Sequence, residues 1–151
     1  VGMALYTGQL DPAAVVVGTL DWDKAALVPT VVEDQAGQVL MLAYSSRESL
    51  LQALRSGKGV YFSRSRNELW EKGATSGNRL ELVSISKNCE ANSLLVKARP
   101  RGPACHTGNT SCYYRPFDPA AEAPYSGPLD AVLATTVGYH SAEGLALVTA
   151  A

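Results

Sequence analysis

Two apolar runs joined by a short turn segment constrain the fold of this chain more than any other feature of its sequence. Residues 27–32 and 39–44 are both rich in aliphatic side chains, and the first run is also rich in β-branched ones. The residues between them include Asp-Gln-Ala-Gly at 34–37, which is typical of a turn. Runs of this length bounded by turn residues predict the two strands of an antiparallel β-hairpin.

The segments after the hairpin predict one helix and further strands. Ser46 is a candidate N-cap for a helix over residues 47–55, and Gly57 is a typical stop signal. The composition typical of strands is found at residues 59–63, 80–85 and 94–98. Strands therefore outnumber helices, and we expect an α+β fold that is mainly β.

The chain has 151 residues, enough for one ordinary domain with its own hydrophobic core. We predict an N-terminal arm at residues 1–19, one domain at 20–117 and a C-terminal extension at 118–151. The arm is apolar without a clear period, which indicates a loose segment or a short strand. The extension begins where proline and then alanine become frequent.

Charge and hydropathy argue against several classes of partner. The chain has 13 Lys and Arg residues against 14 Asp and Glu residues, a balance that does not indicate nucleic acid or a membrane surface. No apolar run approaches the roughly 20 residues of a membrane span, and no signal-peptide pattern is found at the start. We therefore expect a cytoplasmic protein whose partner is a small molecule.

Three cysteines and a neighbouring histidine form a candidate zinc site. Cys89, Cys105 and Cys112 are an odd number of thiols in a chain expected to be cytoplasmic, which favours a metal or catalytic role over disulfides. Their spacing is not that of a zinc finger, and three buried apolar cysteines are the alternative. However, residues 105–112 place two thiols and His106 in one polar loop, which favours a metal site.

Two arrangements of this zinc site remain open from the residues alone. Three thiolates would leave the fourth tetrahedral position to water, as in catalytic sites, and His106 would then be the base that takes a proton from this water. Alternatively, His106 would complete a closed structural site as the fourth ligand.

A second polar loop, at residues 62–77, has the composition of an anion-binding lining. Hydroxyls, cations and glycine amides together match the geometry of phosphate, and Trp70 offers a flat apolar face for a base. The alternative is a solvated surface loop, because no P-loop or dinucleotide fingerprint is present. The candidate substrate-binding residues are Ser63, Arg64, Arg66, Trp70, Lys72, Thr75 and Ser76.

The motifs of these two loops resemble those of the phosphoribosyl-AMP cyclohydrolase family of histidine biosynthesis. The resemblance runs from about Leu20 to Tyr113, and it implies a mainly β homodimer with active sites at the subunit interface. The motifs are Ser63-Arg64-Ser65-Arg66, Leu69-Trp70, Lys72-Gly73, Thr75-Ser76-Gly77, Gly102-Pro103-Ala104-Cys105-His106-Thr107-Gly108 and Ser111-Cys112.

The resemblance also implies a reaction and a zinc site. In this family water adds to C6 of the adenine ring of 1-(5-phosphoribosyl)-AMP, and the N1–C6 bond opens. Zn²⁺ would be the cofactor, bound by Cys89, Cys105 and Cys112 contributed by both chains. His106 matches the histidine that acts as the base.

The family's magnesium site is altered in this sequence. An Asp-Cys-Asp-x-Asp run would surround the first cysteine, but residues 88–92 are Asn-Cys-Glu-Ala-Asn. A further acidic residue of the family's glycine loop is replaced by Ala74. Because Mg²⁺ prefers anionic oxygen at strict octahedral geometry, Asn88, Glu90 and Asn92 predict a degenerate site that binds Mg²⁺ weakly or not at all.

Three functions follow as hypotheses. The first is a divergent zinc hydrolase in specialised metabolism that acts on a C–N bond of a cyclic amidine or nucleotide-like heterocycle. It is favoured by the retained zinc residues beside the altered magnesium residues. The second is ordinary phosphoribosyl-AMP cyclohydrolase, supported by the intact segment with Arg64, Arg66 and Lys72. The third is a noncatalytic, zinc-stapled binding protein.

Overall fold

The structure, a computed structural model, describes residues 2–115 and is dominated by one six-stranded sheet. The predicted mainly β class is confirmed, while the domain boundaries stay predictions and the extension at 118–151 lies outside the described residues. No helix within residues 2–115 is long and apolar enough to cross a membrane. The elements are α1 (Gly2–Tyr6), α2 (Pro12–Gly18), β1 (Leu27–Glu33), β2 (Val39–Ser46), α3 (Arg47–Ser56), β3 (Val60–Ser63), β4 (Glu68–Glu71), β5 (Leu80–Lys87) and β6 (Leu94–Pro100).

The predicted β-hairpin is confirmed and forms the middle of the sheet. Strands β1 and β2 are antiparallel, with Val31 opposite Leu42, and the Asp34 carboxylate accepts two backbone N–H bonds in the turn, both at 2.9 Å. On its other side β1 pairs in parallel with β6, with Val31 opposite Leu95. The order across the sheet is β4-β3-β2-β1-β6-β5, and β1–β6 is its parallel pair.

The sheet curls so that β5 returns to the start of β3. The Gly59 N–H donates to the Leu80 carbonyl, and the Leu82 N–H donates to the Gly57 carbonyl, both at 2.8 Å. These bonds join the segment just before β3 to the first residues of β5. The curl brings the loop after β4 and the loop after β6 to the same end of the sheet.

Helix α3 begins and ends where the sequence predicts, because both ends are capped. Ser46 accepts the Ser49 N–H at 3.1 Å, and the Ser49 hydroxyl oxygen accepts the Ser46 N–H at 2.8 Å. At the other end Gly57 has a φ of +68°, a left-handed conformation that glycine adopts without strain. The apolar face of the helix packs into the core through Leu50, Leu51 and Leu54.

The N-terminal arm is helical, and the expectation of a loose segment or a short strand is wrong. Asp11 caps α2 by accepting the Ala13 N–H at 3.0 Å, and its carboxylate also pairs with Arg55 on α3. Val17 is only 3% exposed and belongs to the core. The sequence pattern misses this helix because seven residues with three consecutive valines show no helical period.

The Tyr61 hydroxyl is a buried polar group without a hydrogen-bond partner in the part of the chain that the structure describes. Burial raises the pKa of Tyr61, so the phenol stays neutral. Because Tyr61→Phe removes a group that makes no bond, we expect the free energy of unfolding to stay the same or to rise by about 1 kcal/mol. Chemical denaturation measures this change.

The control for Tyr61→Phe is a buried hydroxyl that does have a partner. Thr30 Oγ1 and Ser45 Oγ lie 2.8 Å apart in the core. Thr30→Val breaks this bond and leaves Ser45 unpaired, so we expect the free energy of unfolding to fall by about 1–3 kcal/mol. If Tyr61→Phe destabilised the protein as much as Thr30→Val, the Tyr61 hydroxyl would have a partner after all.

Candidate active site

A cavity of about 520 Å³ opens where the loop after β4 meets the loop after β6. The backbone fixes this contact, because the Arg101 N–H donates to the Arg79 carbonyl at 2.8 Å. The cavity therefore lies at the end of the sheet that the curl closes. Among the residues predicted from the sequence, the structure places on its wall Arg66, Trp70, Lys72, Thr75, Ser76, Cys105 and His106.

Strand β4 forms part of the cavity wall, although the sequence pattern predicts a loop there. It pairs with β3, with Trp70 opposite Tyr61, and the centroids of these two rings are 6.0 Å apart. The strand has only two apolar residues between two glutamates, so its alternation is too short to detect. Trp70 consequently packs against the core and also lines the cavity.

The loop that contains Cys105 is a closed turn attached to the edge of β2. The Cys105 N–H donates to the Asn109 carbonyl at 3.0 Å, and the Gly108 N–H donates to the Cys105 carbonyl at 3.1 Å. The Cys112 N–H donates to the Leu40 carbonyl on β2 at 2.8 Å. This geometry brings the side chains of Cys105 and Cys112 within hydrogen-bonding reach of each other.

The two thiols differ in acidity. Hydrogen bonds from the hydroxyl of Thr107, 3.0 Å from Cys105 Sγ, and from its backbone N–H lower the pKa of Cys105, because they stabilise the thiolate. Desolvation raises the pKa of Cys112, and the neighbouring Cys105 raises it further. Cys105 is therefore the thiol of this pair that loses its proton first.

Lys72 is a buried cation beside this thiol pair. It is only 8% exposed, and burial lowers its pKa, whereas the charges of Cys112 and Cys105 act in the opposite direction. A cation in this position balances the negative charge of deprotonated or metal-bound sulfur. The sequence predicts that Lys72 binds substrate, and the structure adds that Lys72 is a charge partner of the thiols.

Cys89 lies far from the thiol pair. It is in the loop between β5 and β6, whereas Cys105 follows the other end of β6, and the seven residues of that strand span about 20 Å at about 3.3 Å per residue. Within residues 2–115 no group of three His, Cys, Asp or Glu side chains could hold a metal. The soft donors Cys105 and Cys112 fit Zn²⁺, but one chain supplies only these two sulfur atoms in one place.

The residues predicted to form a degenerate magnesium site are hydrogen-bonded to one another. The Asn88 amide donates to Asn92 Oδ1 at 2.7 Å, and the Asn92 amide donates to Glu90 Oε2 at 2.8 Å. Asn88 Oδ1 accepts the N–H groups of Asn92 at 2.9 Å and of Ser93 at 3.1 Å. These oxygens already accept hydrogen bonds and only Glu90 is charged, so the cluster does not fit Mg²⁺.

Two of the predicted substrate-binding residues lie off the cavity wall. Ser63 Oγ accepts a hydrogen bond from Arg66 Nε at 3.3 Å, so Ser63 orients a residue that does line the cavity. The Arg64 guanidinium lies over the Tyr44 ring, 3.7 Å from its centroid. Within the described part of one chain, Arg66 faces the cavity and Arg64 packs on the sheet.

Asn78 is a wall residue that the sequence does not predict. Two glycines pack closely against it: a Cβ at Gly73 would overlap the Asn78 backbone, and one at Gly102 would overlap its side-chain oxygen. The sequence signal for this contact is the glycine in each loop motif, but only the fold shows that both glycines pack against Asn78. The other wall residues that are not among the predicted binding, catalytic or metal residues are Glu68, Leu69, Glu71, Gly73, Ala74 and Gly108.

Gly73→Ala is expected to lower the free energy of unfolding by about 3 kcal/mol, because the new Cβ overlaps Asn78 at a position where φ is +79°. Gly77→Ala is the matched control, since φ is also +79° there but nothing lies within 4 Å of the added Cβ. This control is expected to lose about 1 kcal/mol. Urea denaturation compares the two, and equal losses would mean that the contact with Asn78 has no effect.

A known family has this combination of motifs. The model of the family described as phosphoribosyl-AMP cyclohydrolase matches residues 41–114, which include the whole cavity wall and all three cysteines. A protein named phosphoribosyl-AMP cyclohydrolase from Lacticaseibacillus casei (strain BL23) is 52% identical over 101 residues, covering 66% of this chain and 92% of the relative. The chain belongs to the phosphoribosyl-AMP cyclohydrolase family, as the resemblance predicts.

Further relatives include both single-activity and bifunctional proteins. One named phosphoribosyl-AMP cyclohydrolase from Chloroherpeton thalassium is 50% identical over 95 residues, covering 62% of this chain and 68% of the relative. The histidine biosynthesis bifunctional protein HisIE from Xanthomonas axonopodis pv. citri is 45% identical over 126 residues, covering 82% of this chain and 57% of the relative. This chain is thus similar to one part of the bifunctional protein.

Proposed function

We propose that this chain is a phosphoribosyl-AMP cyclohydrolase that opens the adenine ring of 1-(5-phosphoribosyl)-AMP in histidine biosynthesis. The observation that supports this most is the cavity lined by His106, Cys105 and Lys72 within the residues matched to that family. Relatives with this name are 50–52% identical. They favour the ordinary reaction over the first hypothesis, a divergent hydrolase of specialised metabolism.

The residues of the cavity suit the steps of this reaction. His106 would take the proton from the attacking water, because histidine is the side chain most often used to move protons at neutral pH. Trp70 offers a flat face for the adenine ring. Arg66 and the hydroxyls of Thr75 and Ser76 would donate hydrogen bonds to phosphate oxygens.

Zn²⁺ would be held by Cys105 and Cys112 of one chain together with Cys89 of a second copy. Three observations support this assignment: the thiol pair lies in one place, Cys89 of the same chain lies far from it, and Lys72 is a buried cation beside the pair. A site with three thiolates needs both a third sulfur and charge balance. When bound, zinc raises the acidity of water and stabilises negative charge near the reacting carbon.

The outer face of the sheet offers a surface for that second copy. Leu42, Val31 and Leu95 are neighbours in register across three strands, and Leu42 is 46% exposed and Leu95 38%. A groove of about 360 Å³ joins Val31 and Leu95 to Asn88, the residue before Cys89. A second copy packed here would cover the apolar side chains and approach the loop that contains Cys89.

The test is turnover of 1-(5-phosphoribosyl)-AMP by the purified, zinc-loaded chain. Turnover is measured through the change in ultraviolet absorbance when the ring opens. The gene should also restore growth without histidine to a bacterial strain that lacks its own cyclohydrolase. A protein with stoichiometric zinc that neither turns over this substrate nor rescues the strain would contradict the proposal. Such a result would leave the divergent zinc hydrolase and the noncatalytic binding protein as the two remaining hypotheses.

A further inference from the structure

The loop between β5 and β6 is closed by side-chain amides at positions where the family resemblance implies carboxylates. We call the mutually bonded side chains of Asn88, Glu90 and Asn92 the amide network. Within it both amides act as donors, and the Asn88 oxygen accepts two backbone N–H groups. Every contact in the network joins a partial positive hydrogen to an oxygen, so each of these contacts is attractive by itself.

Carboxylates at these positions would behave differently. Three aspartates close together repel one another, and a divalent cation is needed to bring their oxygens to one point. An asparagine side chain has both donors and an acceptor, so Asn88 and Asn92 can bridge the same gap directly. The substitutions therefore remove the repulsion that a cation would relieve.

The surroundings of the network place a cation of the protein itself near Glu90. Lys24 is close enough to Glu90 to interact with it electrostatically, and it forms an ion pair with Asp21 at 3.1 Å. The Asp21 N–H donates to the Ala91 carbonyl at 2.8 Å, which fastens the loop to the segment before β1. A positive charge thus already lies near the single carboxylate of the network.

We propose that the amide network replaces a divalent cation in this loop, so that Mg²⁺ is not a cofactor of this chain. The loop that presents Cys89 then keeps its shape in the absence of Mg²⁺. This inference rests on the proposed function only where turnover is measured, because metal binding and loop stability are measured on the protein alone.

The experiment uses zinc-loaded protein freed of other divalent cations by gel filtration, with Mn²⁺ as a spectroscopic stand-in for Mg²⁺. Binding of Mn²⁺ is counted by electron paramagnetic resonance, and the melting temperature is recorded with and without millimolar Mg²⁺. The comparison variant is Asn88→Asp/Asn92→Asp, which restores two carboxylates. The charge-matched control is Gln38→Glu/Gln52→Glu, at two exposed positions away from the loop.

We expect the wild type and the control to bind no stoichiometric Mn²⁺ and to melt at the same temperature with and without Mg²⁺. The Asn88→Asp/Asn92→Asp variant should bind one Mn²⁺ per chain and should melt about 4 °C or more higher in Mg²⁺. If this variant does not fold, Asn92→Asp alone is expected to gain Mn²⁺ affinity over the wild type.

Stoichiometric Mn²⁺ binding by the wild type, or a stabilising effect of Mg²⁺ on it, would overturn the inference. It would also be overturned if neither aspartate variant bound Mn²⁺ more tightly than the control. Wild-type turnover unchanged by addition of Mg²⁺ would support it further. Absence of all turnover would contradict the proposed function, while the Mn²⁺ and melting data would still decide the role of the loop.

Discussion

Mixing a Cys89→Ala variant with a Cys105→Ala variant is expected to restore turnover that neither variant has alone. In the proposed homodimer each substitution would remove one sulfur ligand from both zinc sites, so each pure variant should be inactive. In a mixed dimer one site lacks two sulfurs, whereas the other combines an intact Cys89 with an intact Cys105. Random pairing should therefore return about a quarter of the wild-type turnover and bound zinc.

The control for this experiment mixes Cys105→Ala with Cys112→Ala. Both residues belong to the thiol pair of one chain, so every dimer formed from these variants lacks a sulfur at each site. Turnover and zinc content, measured by elemental analysis after the chains have been refolded together, should both stay near zero. Equal results for the two mixtures would contradict a zinc site shared between copies.

His106→Ala is expected to reduce kcat by about 10²- to 10⁴-fold while zinc content stays at the wild-type level, because a general base contributes rate and not metal affinity. The KM should change little. The measurement is steady-state turnover together with zinc analysis of the same preparation. His140→Ala is the control, since the chain has two histidines and His140 lies outside the matched residues 41–114.

The same variant separates the two zinc arrangements that the residues leave open. If His106 completed a closed structural site as the fourth ligand, His106→Ala would lose zinc and stability together with activity. If His106→Ala kept both its zinc and its full turnover, His106 would be neither the base nor a zinc ligand.

Elements whose ends are marked by local chemistry could be predicted from the sequence. The hairpin turn depends on Asp34, and helix α3 depends on Ser46 and Gly57, all of which act on residues within a few positions. The order of the strands could not be predicted. The parallel β1–β6 pair and the contact of Gly59 with Leu80 join distant segments, and neither leaves a local signal.

Which side chains line the cavity could be predicted better than how they are arranged. The types of side chain at Cys105, His106 and Arg66 indicate metal, proton and phosphate chemistry wherever they lie. The burial of Lys72 beside the thiols depends on the curl of the sheet, and so does the position of Asn78 between two glycines. Periodicity and composition contain no information about such contacts.

The parallel pairing in the middle of the sheet has a consequence for how the chain folds. The β1–β2, β3–β4 and β5–β6 pairs each join neighbours in sequence, whereas Thr30 on β1 must find Leu94 on β6. Bringing Thr30 and Leu94 together closes the long chain segment between them, and this step is slow. The three hairpins should therefore form before the central β1–β6 pair. An intermediate with all three hairpins would still have an open sheet, and in a refolding experiment the β1–β6 pair would form only at the last kinetic phase.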